Sequence, residues 1–229
     1  MTGLSKRLSV IASFVDKGSS VCDVGTDHGY LPAFLYIYGK CKSIIATDIN
    51  SKPLKSAQKN LERLGAGKVR LILCDGLDKV DRKDADTVII AGMGGEVISG
   101  IIDRAPFLRD GTVKLILQPT TSAGNLRVYL SQNGFCVEHE QAVCENGKVY
   151  SVMAARFCGA PYTLNQTERL IGILKPDTPD AVEYIKKQYR IASKCACDLA
   201  DVPQKSKEYK ALLEAQNSLK QILEDKNGI

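Results

Sequence analysis

Residues 21–32, Val-Cys-Asp-Val-Gly-Thr-Asp-His-Gly-Tyr-Leu-Pro, constrain this chain more than any other stretch. An apolar run over 20–24 meets a turn holding Gly25 and Gly29, and a helical pattern follows at once. This is the first strand–turn–helix of an open α/β sheet, whose crevice takes nucleotide-like ligands. Gly25 lets the backbone turn and approach a ligand with no Cβ in the way. Packing gives no reason for Asp23, Asp27 and His28 to flank such a turn, so the turn reads as a site.

Taken in order, Leu4, Leu8, Ile11, Ala12 and Val15 mark one face of an amphipathic helix, with Lys6 and Arg7 off that face. Those two cations are either part of a solvated outer face or contacts to an RNA backbone. Residues 30–38 read as a helix with Pro32 in its first turn. Residues 43–48 read as a second strand, ending in a carboxylate 23 residues after Gly25. An acid there can accept both hydroxyls of a ribose. The next helix, 51–64, carries Lys52, Lys55, Lys59 and Arg63 as a basic stripe, which is either a solvated face or a nucleic-acid footprint.

A third strand, 69–74, closes with Asp75-Gly76, where the acid could accept a hydrogen bond from an exocyclic amine or simply form a turn. A fourth, 87–91, is followed by Gly92-Met93-Gly94-Gly95, expected as a loop that a ligand approaches closely. A fifth, 113–117, ends at Gln118-Pro119-Thr120-Thr121, where proline is expected to stop the ladder and Gln118 to present an amide. Two β-rich runs, 135–143 and 148–157, are joined by Glu145-Asn146-Gly147, a hairpin signal. The expected fold is therefore a mostly parallel, Rossmann-like α/β sheet with an antiparallel terminal hairpin.

Gly159-Ala160-Pro161 breaks the pattern, which divides the chain into 1–158 and a helical part, 159–229. In the latter, Val182, Ile185, Tyr189, Ala192, Ala196 and Leu199 form a heptad seam. Pro203 breaks it, and Tyr209, Leu212, Gln216, Leu219 and Leu223 form a second. A small coiled-coil-like helical hairpin is expected there.

The strand-end residues of an open sheet converge on one crevice. A pyrophosphate would need glycine where Asp23 stands and no second acid at Asp27, because carboxylates repel phosphate. S-adenosylmethionine has no phosphates and carries a sulfonium and an ammonium, so acids suit it. With Asp48, Asp75 and the hairpin, the pattern is that of a class I methyltransferase.

Several stretches are similar to a named family. Ser-Lys-Arg-Leu at 5–8, Asp-Val-Gly-Thr-Asp-His-Gly-Tyr-Leu-Pro at 23–32, Ala-Gly-Met-Gly-Gly at 91–95, Leu-Ile-Leu-Gln-Pro at 115–119 and Glu-Asn-Gly-Lys-Val-Tyr at 145–150 carry the likeness. They resemble the bacterial tRNA adenine-N1 methyltransferases that modify adenine 22 in the D-arm, over about residues 4–157. The resemblance implies that Gly25, Asp27, His28 and Tyr30 border a methyl-donor site with Asp48, Asp75 and residues 92–95, and the candidate cofactor-binding set adds Asp23, Thr26, Gly29, Ile49, Gly76, Gly92, Met93 and Gly94. Asp27, Tyr30 and Gln118 are then the candidates nearest the chemistry. Asp27 would either stabilise the cationic base or simply form the turn, and Tyr30 would either stack on the base or pack at the start of its helix. The chain departs from the family at Thr120, where Gln-Pro is usually followed by Asn. A hydroxyl lacks the paired donor and acceptor of an amide, so Thr120 is not carried over as a base contact. No Asn-Pro-Pro-Tyr-type signature is present, which favours a ring nitrogen over an exocyclic amine as acceptor.

Composition sets the outer limits. A net charge of +5 is compatible with a polyanionic partner, and the excess lies mostly on the first 159 residues. Eight cysteines without a CxxC pair, and two histidines, fit neither a zinc site nor a disulfide framework, which points to a reducing, cytoplasmic setting. No apolar run approaches the ~20 residues of a membrane helix. The expected partner is tRNA, with no metal and no membrane, and a monomer is favoured. The competing readings are a methyltransferase for a small molecule or protein, and a non-catalytic RNA-binding module.

Overall fold

The computed structural model describes residues 3–200 and 206–226. Its centre is a seven-stranded sheet of order β3-β2-β1-β4-β5-β7-β6. β1 (Ser19–Val24) lies between β2 (Cys41–Asp48) and β4 (Thr87–Gly94), parallel to both. β3 (Arg70–Leu73) extends one side and β5 (Lys114–Thr121) the other, also in parallel. Strands covered on both faces can be apolar throughout, and Val21, Cys22 and Val24 are all buried. Successive residues feed opposite cores: Val21, Ile89 and Ile116 pack on one face, and Cys22, Val88 and Leu115 on the other.

One face is covered by α1 (Lys6–Ser13), α2 (Tyr30–Ile37) and α3 (Ser51–Arg63), which contribute Ile11, Leu31 and Leu61 to its core. The other is covered by α4 (Gly95–Asp103) and α5 (Ala123–Gln132), through Ile98 and Leu126. β6 (Phe135–Glu145) and β7 (Lys148–Phe157) form the terminal hairpin, with β7 antiparallel to β5. Its two-residue turn holds Asn146 and Gly147 at φ 50° and 71°, the positive pair that matches strand twist.

β4 and β5 run three and four residues past their expected ends. β4 continues through Gly92 and Met93 to Gly94, so the glycines are not a free loop but a bulged strand end. Gly92, at φ 79°, takes the conformation the bulge requires. β5 continues through Pro119 to Thr121, because Pro119 falls opposite Met93 at that irregular register, where a missing N–H is tolerated.

The remaining chain forms α6 (Gln166–Ile171), α7 (Pro179–Leu199) and α8 (Ser206–Lys226), one helix more than the heptads suggest. α6 opens on a capping box between Asn165 and Glu168. The buried faces of α7 and α8 keep Ile185, Ala192, Ala196 and Leu219 of the expected seams and widen beyond them. Ala181, Tyr184 and Ile185 are buried at the start of α7, and Ala215 and Leu219 in α8, with Val182 and Gln216 only half-buried. The cause is that α7 packs against Ala142 and Val149 of the hairpin as well as against its partner helix. Pro203 lies outside the described residues. Cys136 and Cys158, with Cα atoms 6.0 Å apart, are paired as a disulfide where none was expected. The antiparallel register sets Cys136 opposite Arg156, two residues before Cys158.

Candidate active site

The strand order reverses between β1 and β4, so the loops after these two strands flank a crevice. The first loop is tied to the end of β2: Gly25 N and Thr26 N both donate to Thr47 O, at 2.8 and 3.0 Å. Thr47 Oγ1 donates to Gly76 O at 3.0 Å, and Cys74 N to Asp48 O at 3.1 Å. Three strand ends are thus cross-linked into one rim. Gly25 sits at φ 73°, and a Cβ there would stand 2.2 Å from Met93 Cε. Met93, on the β4 bulge, therefore roofs the first turn.

Asp23 is buried at this rim, with no cation paired to it among the described residues. Burial pushes its carboxyl up to about 6, against a smaller lowering by the nearby Thr26 hydroxyl. Thr26 Oγ1 is itself buried without a hydrogen bond of full geometry. A buried hydroxyl so placed calls for a further partner, a water or a ligand.

The turn residues 27–29 are held from α3. Asn60 Nδ2 donates to His28 O at 3.0 Å, and the His28 Nδ1–Ser56 Oγ distance is 2.9 Å. Gly29, at φ 69°, caps α2, and a Cβ on it would press on Ala57 at 3.1 Å. Asp27 takes φ 49° and its side chain stays 72% exposed, with His28 Nε2 3.5 Å away. A non-glycine residue at positive φ, held from a neighbouring helix and open to solvent, is presented rather than packed.

On the β2 side, Asp48 Oδ1 accepts from Asn50 N at 2.7 Å, and Ile49 is 61% exposed beside it. Asp75 is paired with Arg104 Nη2 at 2.9 Å, so one of its oxygens already has a partner. On the β5 side, Gln118 is fully buried. Its Oε1 accepts from Arg7 Nη1 at 2.5 Å and Gly92 N at 3.1 Å, and its Nε2 donates to Pro119 O at 2.9 Å. Gln118 thus clamps the bulge and leaves no exposed amide. Among the described residues no cluster of His, Cys, Asp and Glu could hold a metal ion.

The matched family model is that of a methyltransferase domain, over residues 4–153. The tRNA (adenine(22)-N(1))-methyltransferase of Bacillus subtilis is 34% identical over 153 residues, covering 66% of this chain and 64% of its own length. Among solved structures, Sp1610 of Streptococcus pneumoniae in complex with S-adenosyl-L-methionine is 31% identical, with TM-score 0.80. That match covers 96% of this chain and 100% of that one. The chain belongs to the bacterial tRNA (adenine-22-N1)-methyltransferase family. The B. subtilis m1A22 tRNA methyltransferase TrmK agrees over 97% of this chain and 100% of its own, at 27% identity and TM-score 0.82.

Within this family member, the cationic candidates fall into two groups. Lys52, Lys55, Lys59 and Arg63 are exposed along α3, and none pairs with a carboxylate among the described residues. Lys6 and Arg7 are engaged. Lys6 Nζ meets Asp180 of α7 at 2.6 Å. Arg7 turns inward: its N and Nε donate to Glu145 at 2.9 and 3.3 Å, and its guanidinium lies 5.8 Å from the Tyr150 ring centroid.

Glu145 and Tyr150 entered the sequence reading only as part of a motif. The Arg7–Gln118–Gly92 chain gives that motif a physical sense, because it ties the hairpin to the β4 bulge. Arg104, Ser56 and Asn60 carried no sequence signal; an exposed polar residue on a helix reveals its partner only once the helix is docked.

Proposed function

We propose that this protein transfers the methyl group of S-adenosylmethionine to N1 of adenine 22 in tRNA. The observation that carries the reading is the rim around Gly25: a buried Asp23 with no paired cation among the described residues, a Thr26 hydroxyl beside it without a hydrogen bond of full geometry, and Met93 packed so closely over Gly25 that a Cβ would strike it. Those groups fit a cationic ligand with polar atoms, as the acids would not fit a pyrophosphate. Family membership supports the donor and the substrate together.

In this reading Asp48 holds the ribose hydroxyls with its remaining oxygen, and Ile49 and Gly76 border the adenine ring. Gly92, Met93 and Gly94 form the opposite wall. Asp75, already paired to Arg104, keeps one oxygen for the exocyclic amine. His28 and Gly29 fix the turn, and Gln118 acts as a positioning residue through the bulge rather than on the base. When bound, S-adenosylmethionine supplies a methyl group on a sulfonium.

A ring nitrogen lone pair needs little base catalysis to take that methyl; it needs alignment. The adenine then becomes cationic, and Asp27, exposed at the crevice mouth, stabilises the charge and can accept the N6 proton. Tyr30, 44% exposed next to His28, can stack on the base once it has left its helix. The α3 stripe would hold the RNA backbone, and the C-terminal helices packed on the hairpin would extend that grip. Such an enzyme works in the cytoplasm with its tRNA; among the described residues no helix is long and apolar enough to cross a membrane.

The test is incubation of the purified protein with the methyl donor and an unmodified tRNA transcript. A new reverse-transcription stop at position 22 is expected, since N1-methylation blocks pairing. Asp27→Ala should keep donor affinity by calorimetry and lower single-turnover rates about 10²–10³-fold. Methylation of N6 without a stop, or an unchanged rate in the variant, would sink the respective assignment.

A further inference from the structure

Beyond the crevice, α2 carries Tyr30, Phe34 and Tyr38 at successive intervals of four, with Tyr38 as the residue that caps its end. That spacing puts three aromatic rings on one helix face. Tyr30 and Tyr38 are 44% and 59% exposed. The Phe34 and Tyr38 ring centroids are 4.4 Å apart, and at the other end the His28 ring is 5.8 Å from that of Tyr30. The row therefore runs from the turn that presents Asp27 outward over the surface.

These rings form one wall of a groove of about 530 Å³. Leu4 and Leu8 form the facing side, and Arg63 closes an edge. Folding does not call for two large tyrosines left in solvent over an apolar groove. The rim is cationic. Arg63 ends the α3 stripe, Lys59 precedes it by one turn, and neither has a carboxylate partner among the described residues. An aromatic floor beside uncompensated cations matches a nucleotide, whose base offers a π-face and whose phosphate offers the charge. An apolar peptide would leave those cations without an anion.

We propose that this groove receives unpaired bases of the RNA strand flanking the target adenine. They stack on Tyr38 and Phe34 while Arg63 meets the phosphate between them. The inference rests on the RNA reading of the function, and it makes Tyr38 a substrate-binding residue remote from the methyl donor. Stacking on such a row would keep the strand open beside the target and so help to hold the adenine out of its helix.

The experiment uses the full chain and a tRNA transcript. Tyr38 is exposed, so Tyr38→Ala should fold normally. It should raise KM for tRNA about tenfold, within the range for losing one stacked base. Donor affinity by calorimetry should not move, and Tyr38→Phe, which keeps the ring, should restore KM. A transcript with an abasic residue beside the target should cost the wild type a similar factor and cost Tyr38→Ala nothing more.

An unchanged KM in Tyr38→Ala, or two penalties that multiply, would overturn the groove while leaving the functional reading intact. A wild-type protein that methylates no tRNA would overturn that reading and the groove with it. A dimer that Tyr38→Ala dissociates would assign the groove to a second copy and overturn the RNA proposal.

Discussion

Arg127 and Glu140 form a buried ion pair at the point where α5, the hairpin and the C-terminal helices meet, with side chains 2% and 0% exposed. Arg127 uses its whole fork. Nε and Nη2 donate to Glu140 Oε1 at 3.1 and 2.6 Å, and Nη2 also reaches Tyr184 OH at 3.0 Å. Nη1 donates to the carbonyls of Arg169 and Leu170 at 3.0 and 2.9 Å. Glu140 also accepts from the Ser151 hydroxyl and, at 3.2 Å, from Ile173 N. Arg127→Met would leave that carboxylate in the interior without its cation and strand two carbonyls.

Removing one partner of a buried pair costs about 3–5 kcal/mol, a large share of the 5–15 kcal/mol that typically holds a protein folded. With a urea slope of roughly 3 kcal/mol per M for a chain of this size, the unfolding midpoint should fall by about 1 M or more. The double variant Arg127→Met/Glu140→Leu removes both charges and should recover most of the loss, because the desolvation cost goes with the pair. Urea titration followed by circular dichroism decides it. A single-variant midpoint within about 0.3 M of wild type, or a double variant less stable than the single, would refute the view that this pair locks the helical part to the sheet.

Other outcomes follow from the site. Asp48→Ala should weaken donor binding at least about tenfold, the loss of a hydrogen bond to a charged group; calorimetry without a change would remove it from the ribose assignment. Asp23, pushed up to about 6 by burial, stays protonated in the folded chain between about pH 4 and 6, where the unfolded chain has already ionised. Stability should therefore fall as pH rises through that window, by roughly 3 kcal/mol for two units, and Asp23→Asn should flatten the profile; urea midpoints at pH 4 and 7 that fall equally in both proteins would contradict it. Charge reversal of Lys55 and Lys59 should weaken tRNA binding and lower its salt slope by about one per lost phosphate contact. A filter-binding slope equal to wild type would return the stripe to plain solvated surface.

How far the site could be read from sequence depended on how local each signal was. Gly25 and Gly29 were legible because positive φ at a turn is a property of a few adjacent residues, and both adopt it. The Asn146-Gly147 turn was legible for the same reason. The strand ends were less so. Gly92 read as part of a loop and Pro119 as a terminator, yet Gly92 is the extra residue of a bulge that sets Met93 opposite Pro119, and both strands continue through it. Gln118 was read as an amide on display, and only the approach of Arg7 from 111 residues away shows its carbonyl in use.

What the sequence determined by itself was the order of the strands and helices of the sheet domain, the parallel sheet with its antiparallel end, and the collection of acids and glycines at one edge. These rest on periodicity, turn chemistry and the rule that strand ends converge, all of which act over a few residues or follow from topology. The tertiary structure alone decided which charged groups are spent. Lys6 and Arg7 look like the stripe of α3 when read along the chain, but Asp180 and Glu145 reach them from distant segments, whereas among the described residues no such acid pairs with Lys55 or Lys59. It also decided the buried Arg127–Glu140 pair, which the sequence presents as two unrelated charges 13 residues apart. A charge acquires its role from what is packed against it, and that is fixed only when the elements dock.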